Sequence, residues 1–215
     1  MARISDRAIG RLTRYRVLLT EHLPPEKRSV YSHELASMMG LTPSQVRRDL
    51  MHIGYYGIPR HGYEVEELVK HIGEILGSGA DHRIALVGVG NLGRALAAFL
   101  EGRRSSLRIV AAFDSDPLKV NRLVNGVRCY PMEDVDRVIA GDRIRLAILC
   151  VPGGVAQLVA DRLIHAGIKG ILNFAPVPLR VPVGVCLEDM DVTSSLEKVA
   201  YFATQGALGE QEGQP

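Results

Sequence analysis

The segment Gly88-Val89-Gly90-Asn91-Leu92-Gly93 sets three glycines at G-x-G-x-x-G spacing. It follows the apolar run HRIALV and leads into NLGRALAAFL. This is a phosphate-binding arrangement. Gly88 allows a tight turn, Gly90 lets the backbone approach a pyrophosphate, and Gly93 lets the helix pack close to the strand. The helix N-terminus adds partial positive charge and N–H groups. A second apolar run, RIVAAFD, ends in Asp114, 21 residues after Gly93. A carboxylate there accepts hydrogen bonds from both ribose hydroxyls of an adenosine and repels a 2′-phosphate. The expected cofactor is therefore NAD(H) rather than NADP(H).

The elements that must position this loop follow from the same pattern. RLAILCV, GILNF and VGVCLED read as further strands, with a helix over 154–166. Alternating strands and helices predict an α/β fold with a doubly wound, mostly parallel Rossmann sheet. Ligands in such sheets lie at the carboxyl ends of the strands. Val151-Pro152 and Asn173-Phe174 occupy those ends and are candidates for the nicotinamide side of the pocket. Residues 193–205 read as a final helix with a broad apolar face, which needs a partner surface in its own chain or in a second one. The residues after it are expected to be disordered.

The glycine loop begins only after some eighty residues, and these carry a different chemistry. Ala8, Leu12, Tyr15 and Leu19 recur at helical spacing over 5–22. Ser32 is the expected N-cap of a short helix that Gly40 ends. In LTPSQVRRDLMHIG, Thr42 is placed as N-cap, Pro43 at the first helical position and Gln45 to complete a capping box. Val46, Leu50 and Ile53 form the buried stripe, leaving Ser44, Gln45, Arg47 and Arg48 outward. Helix, glycine turn and capped helix predict a helix-turn-helix. Its second helix can enter a major groove, where Arg and Gln reach base edges. YYGIPRHGYEV reads as a hairpin with Arg60 and His61 at its tip, the wing of a winged helix able to reach a minor groove. The alternative is a helical docking domain with a solvated basic face.

Charge sharpens this division. The chain of 215 residues has a net charge of +2, but residues 1–60 hold ten basic against five acidic residues. A basic first quarter suits a polyanion such as double-stranded operator DNA. No apolar run approaches the ~20 residues of a membrane span, and no signal-peptide pattern opens the chain, so a cytoplasmic protein without a membrane role is expected. Cys129, Cys150 and Cys186 lack metal-ligand spacing and read as buried free thiols, with no metal site expected. His165 falls on a helix surface and His82 at the wrong end of the sheet, which leaves no obvious acid or base for an enzyme.

Taken together, LTPSQVRRDL, GIPRHGYEV, VGVGNLGRALA, FDSDPLKV, GIKGILNFAPV and VCLEDMD resemble the Rex family of redox-sensing repressors over nearly the whole chain. The resemblance implies a homodimer with a winged helix over 1–79, a Rossmann NAD(H) domain over 80–190, a domain-swapped C-terminal helix over 191–206 and a tail over 207–215. It implies operator binding when NADH is low and release by NADH. Gly88 to Gly93 would hold the pyrophosphate, Asp114 the adenine ribose, and Asp191 would take part in coupling nucleotide to domain rotation. Ser44, Gln45, Arg47 and Arg48 would face the major groove. Two positions depart from the family pattern: a first-helix arginine falls at Val17, and a tyrosine falls at Phe99. Arg16 is adjacent to Val17 but turned about 100° round the helix. The alternatives are a small NAD(H)-dependent oxidoreductase and a CoA-binding regulator, since the Rossmann part also resembles the CoA-binding domain of succinyl-CoA synthetases.

Overall fold

The computed structural model describes residues 4–77, 79–101 and 106–211, with the side chains of 205–211 left aside. The chain divides into two compact units, Met1–Ala80 and Asp81–Pro215.

The first unit contains α1 (Asp6–Glu21), β1 (Ser29–Val30), α2 (Ser32–Met39), α3 (Pro43–His52), β2 (Tyr63–Glu64) and α4 (Val65–Ile75). Ser5 caps α1, and the helix buries Ala8, Leu12, Tyr15 and Leu19 as their spacing predicts. Leu12, Tyr15 and Leu19 meet Leu35, Val46, Leu50, Leu68 and Ile72 in one core. Each such large apolar side chain stabilises by about 1.5–3 kcal/mol on full burial. Gly40 ends α2 in the left-handed region, and Thr42 caps α3 by accepting from the Gln45 N–H at 3.2 Å.

Three details differ from expectation. Tyr31, not Ser32, is the N-cap of α2, and the Glu34 carboxylate accepts from its N–H at 2.8 Å. Gln45 does not reach back to complete a capping box: its amide turns forward to Asp49. The wing strand β2 pairs antiparallel with β1, which the sequence pattern hides because two residues show no alternation. The tip of the wing is as expected. An Ile58–Gly62 bridge closes a tight loop, and Arg60 adopts φ 65° within it.

The second unit contains β3 (His82–Val87), α5 (Asn91–Glu101), β4 (Leu107–Asp114), β5 (Leu123–Val124), β6 (Val127–Pro131), α6 (Val135–Gly141), β7 (Leu146–Leu149), α7 (Gly153–His165), β8 (Gly170–Asn173), β9 (Cys186–Asp189) and α8 (Val192–Gln211). Among the described residues the sheet order is β5-β6-β4-β3-β7-β8-β9, parallel except for β5. Alternate residues of β3 serve the two faces. Ala85 and Val87 join the core with Val138, Ile139 and Leu163, while Ile84 and Leu86 join Val89, Ala97 and Ile148. Sandwiching between helix layers explains the nearly continuous apolar strands. The β5–β6 hairpin stands outside the expected strand–helix alternation, and Asn125-Gly126, with φ 50° and 73°, is its turn signal.

The helix α8 runs to Gln211, longer than the expected 193–205, so part of the expected disordered tail is helical. Ala, Leu, Glu and Gln are good helix formers and carry it past Gly206 and Gly209. Residues 212–215 of that tail lie outside the described residues. Residues 192–204 are exposed on every side of the helix.

Candidate functional site

A cavity of about 850 Å³ opens at the carboxyl ends of β3, β4 and β7. This is the switch point of the sheet, where β4 and β7 leave opposite sides of β3. Gly88, Gly90, Leu92, Asp114, Val151, Pro152 and Phe174 line it. Gly88 and Gly93 take the tight turn and the close packing that their spacing predicts. Gly88 has φ 93°, and a Cβ there would come within 2.2 Å of the Cys150 carbonyl oxygen. A Cβ on Gly93 would lie 2.1 Å from the Gly88 carbonyl oxygen. Gly90 has nothing within 4 Å of its Cβ position, which leaves room for a phosphate to approach the backbone at the start of α5.

Asp114 stands at the end of β4, buried. Its carboxylate accepts from the Val89 N–H at 2.8 Å and the Asp116 N–H at 2.9 Å. Lys119 Nζ lies 3.2 Å from Asp114 Oδ2 and 3.6 Å from Asp116 Oδ2. Burial pushes the Asp114 carboxyl up, but these donors outweigh it and hold its pKa below the ordinary value. The carboxylate is thus ionised and oriented, as a ribose acceptor requires. Lys119 adds a cation at the same place, so the repulsion of a 2′-phosphate is weaker than a lone carboxylate would set.

Other expected residues stand beside the cavity rather than on it. Val89 is fully buried and serves Asp114 through its N–H, Asn91 is exposed at the start of α5, and Gly93 is buried under the turn. Asn173 is buried at 1% exposure and its amide is occupied. It donates to the Val177 carbonyl at 3.0 Å and to Asp189 at 2.7 Å, and accepts from the Ala175 N–H at 2.9 Å. It shapes the loop that presents Phe174. Asp191 is exposed and caps α8, accepting from the Ser194 N–H at 2.9 Å and from its hydroxyl.

The cavity also includes residues that sequence reasoning missed. Val155, Leu158, Val159 and Arg162 descend along α7, facing Met132 and Lys119. Their spacing, one wall of a helix following a strand end, was a usable signal. Arg162 is held at the rim by the Glu133 carbonyl at 3.3 Å and Asp136 at 3.6 Å. Cys150 lines the cavity, and burial pushes its thiol up to about 11. Cys129 is buried, but Cys186 is exposed on the edge strand β9, where the sequence pattern had placed a buried thiol.

In the first unit, Ser44, Arg47, Arg48, Met51, His52 and Tyr56 surround a shallow depression on α3. Arg47 donates to the hydroxyls of Ser32 at 3.0 Å and Ser44 at 3.2 Å, which draws its guanidinium toward the start of the helix. Arg48 is exposed, as are Arg60 and His61 at the wing tip. The Tyr31 hydroxyl donates to the Arg60 carbonyl at 3.1 Å and pins that tip. Behind the exposed side of α3 lies a group that no local sequence pattern reveals. Asp49, 4% exposed, takes Arg11 Nε and Nη2 at 2.6 and 2.7 Å, the Tyr15 hydroxyl at 2.9 Å and Gln45 Nε2 at 2.9 Å.

Two family models match the chain: "CoA binding domain" over residues 80–177 and "Putative DNA-binding protein N-terminus" over residues 3–50. The redox-sensing transcriptional repressor Rex of Rhodopirellula baltica is 40% identical over 200 residues, which span 93% of this chain and 84% of that protein. The Rex repressor of Caldanaerobacter subterraneus subsp. tengcongensis is 38% identical over 205 residues, 95% of this chain and 92% of that one. The chain belongs to the Rex family. Among solved structures, RSP, a Rex-family repressor, matches with a TM-score of 0.88 at 36% identity, over 100% of both chains. RSP in complex with β-NAD+ and operator DNA matches with a TM-score of 0.89 at 36% identity, over 98% of this chain and 97% of that one. RSP in complex with β-NADH gives 0.86 at 36% identity, over 98% and 99%.

Within the Rex frame the two departures have definite places. Val17 is 37% exposed on α1, beside an apolar groove with Leu18 and Met38. Phe99 is 56% exposed on α5.

Proposed function

We propose that this chain is a DNA-binding transcriptional repressor that senses the NADH/NAD+ ratio, binding operator DNA when NADH is low and leaving it when NADH binds. The observation that carries this is one chain joining a winged helix with exposed Arg48 and Arg60 to a Rossmann cavity with an ionised, oriented Asp114. The RSP complexes, one with β-NAD+ and operator DNA and one with β-NADH, support it. In this reading residues 1–79 bind DNA and residues 80–190 bind NAD(H). Gly88 to Gly93 hold the pyrophosphate, Asp114 the adenine ribose, and Val151, Pro152 and Phe174 the nicotinamide side. Ser44, Gln45, Arg47 and Arg48 enter the major groove, and Arg60 and His61 the minor groove.

The protein acts as a homodimer. Leu196, Val199 and Phe202 are each at least 60% exposed and share one side of α8, an apolar face that a second copy would cover by helix exchange. Asp191, at the head of that helix, couples the nucleotide to the dimer's shape, with Val17 and Phe99 altering its contacts. The mechanism is linkage: NADH favours a shape in which the recognition helices no longer match their half-sites, and DNA weakens NADH binding by the same factor. The protein works in the cytoplasm as a regulator rather than an enzyme, and among the described residues no helix is long and apolar enough to cross a membrane.

Titrating operator DNA in the presence of NADH and of NAD+ tests this. Affinity should fall with NADH, and equal affinity with both nucleotides would sink the sensor reading. The match to a CoA-binding domain gives a second reading, a CoA-responsive regulator. Calorimetry with CoA and NADH separates the two.

A further inference from the structure

Gln45 stands in the first turn of α3, where a side chain on a DNA-reading helix meets base edges. A free glutamine there could offer either end of its amide. Here the choice is made in advance. Gln45 Nε2 lies 2.9 Å from Asp49 Oδ1. A carboxylate only accepts, so the amide must face it with its NH2 group. Asp49 itself cannot swing away. Arg11 grips both of its oxygens, at 2.6 and 2.7 Å, and the Tyr15 hydroxyl donates at 2.9 Å, both from α1. One amide N–H of a glutamine lies on the same side as its oxygen and the other on the opposite side. Giving the opposite one to Asp49 leaves an edge of one acceptor and one donor. Adenine presents the complement in the major groove, N6–H and N7.

Resting on the DNA-binding reading above, we propose that Asp49 is a positioning residue for base recognition. Clamped by Arg11 and Tyr15, it fixes the Gln45 amide so that its acceptor–donor edge selects adenine at one position of each half-site. Asp49 does not touch DNA. Its carboxylate sets what Gln45 can read, and it ties that reading to α1 and the core of the unit.

The test uses the full chain, without nucleotide, on duplexes selected from a randomised pool by the wild-type protein, with every base pair then varied singly. Wild type should prefer adenine at one position of each half-site by roughly tenfold or more. Gln45→Ala should flatten that position. Asp49→Asn should flatten the same position, leave the preferences elsewhere in the site in place and leave NADH affinity unchanged. A merely structural Asp49 would weaken all positions alike, and that result overturns the proposal, as does Asp49→Asn with full selectivity. If Asp49→Asn does not fold, Tyr15→Phe removes one donor from the carboxylate without touching Gln45. It should partly flatten the same position, and no change there overturns the proposal. A wild-type chain that selects no duplex overturns the DNA-binding reading and this inference with it, whereas selectivity that survives Asp49→Asn overturns this inference alone.

Discussion

Among the described residues each unit buries one aspartate, and the two are treated differently. Asp49 in the first unit and Asp114 in the second are 4% and 8% exposed. Both stay ionised because hydrogen bonds outweigh the cost of burial. Asp49 is closed in by side chains from two helices, including a bidentate arginine. Asp114 is held by two backbone N–H groups and Lys119, and it still lines an open cavity. A carboxylate saturated by its own chain organises that chain. One held from behind by the backbone, with a cavity in front, is arranged for a ligand.

The sharpest way to break this contrast is Asp49→Ala. Removing one partner of a buried ion pair costs about 3–5 kcal/mol. The Arg11 side chain keeps 23% exposure and some access to water. The lower end, about 3 kcal/mol of unfolding free energy, is therefore expected in urea titration. NADH affinity of the folded protein should not change. A loss well under 1 kcal/mol would mean that water replaces the carboxylate and that Asp49 organises little.

Asp114→Ala should reverse the pattern. Hydrogen bonds to a charged group contribute about 1.5–3 kcal/mol each. Losing the ribose contacts should weaken NADH binding roughly 10- to 100-fold by fluorescence titration. Operator affinity of the nucleotide-free protein should stay within about twofold of wild type. If operator binding collapses as well, the Val89 and Asp116 contacts make Asp114 a structural residue, and the two aspartates are alike after all.

What was legible in the sequence follows the same line. Local, repeating signals could be read: the Leu12–Tyr15–Leu19 stripe, the Thr42 cap with Pro43, and the glycine loop with Asp114. Each depends on residues a few positions apart on one element or at one turn. The Asp49 cluster could not be read that way. Arg11 and Asp49 are 38 positions apart and count as ordinary surface charges until α1 and α3 pack together. Gln45 satisfied a capping pattern, yet a buried carboxylate one turn on is a stronger partner than a backbone N–H at an exposed helix end. Lys119 lies only five positions after Asp114, but nothing periodic in that loop shows that it turns back to the carboxylate. The β1–β2 pair was missed because two-residue strands carry no period.

Acid gives the smallest and most discriminating comparison. Both carboxyls have folded-state pKa values below the ordinary aspartate value of 3.8. Each therefore contributes stability that is fully present above about pH 4 and is lost as the pH falls through its folded-state pKa. In amide-exchange measurements read unit by unit, both units should become less protected in that window. NAD+, which survives acid, separates them. Ribose hydroxyls donating to Asp114 favour its ionised form further and should shift the second unit's loss to lower pH. Asp49 has its donors already and meets no nucleotide, so protection around α1 and α3 should be lost at the same pH with or without NAD+. An equal shift in both units would mean that nucleotide stabilises the chain as a whole, and that the two aspartates cannot be told apart by what occupies them.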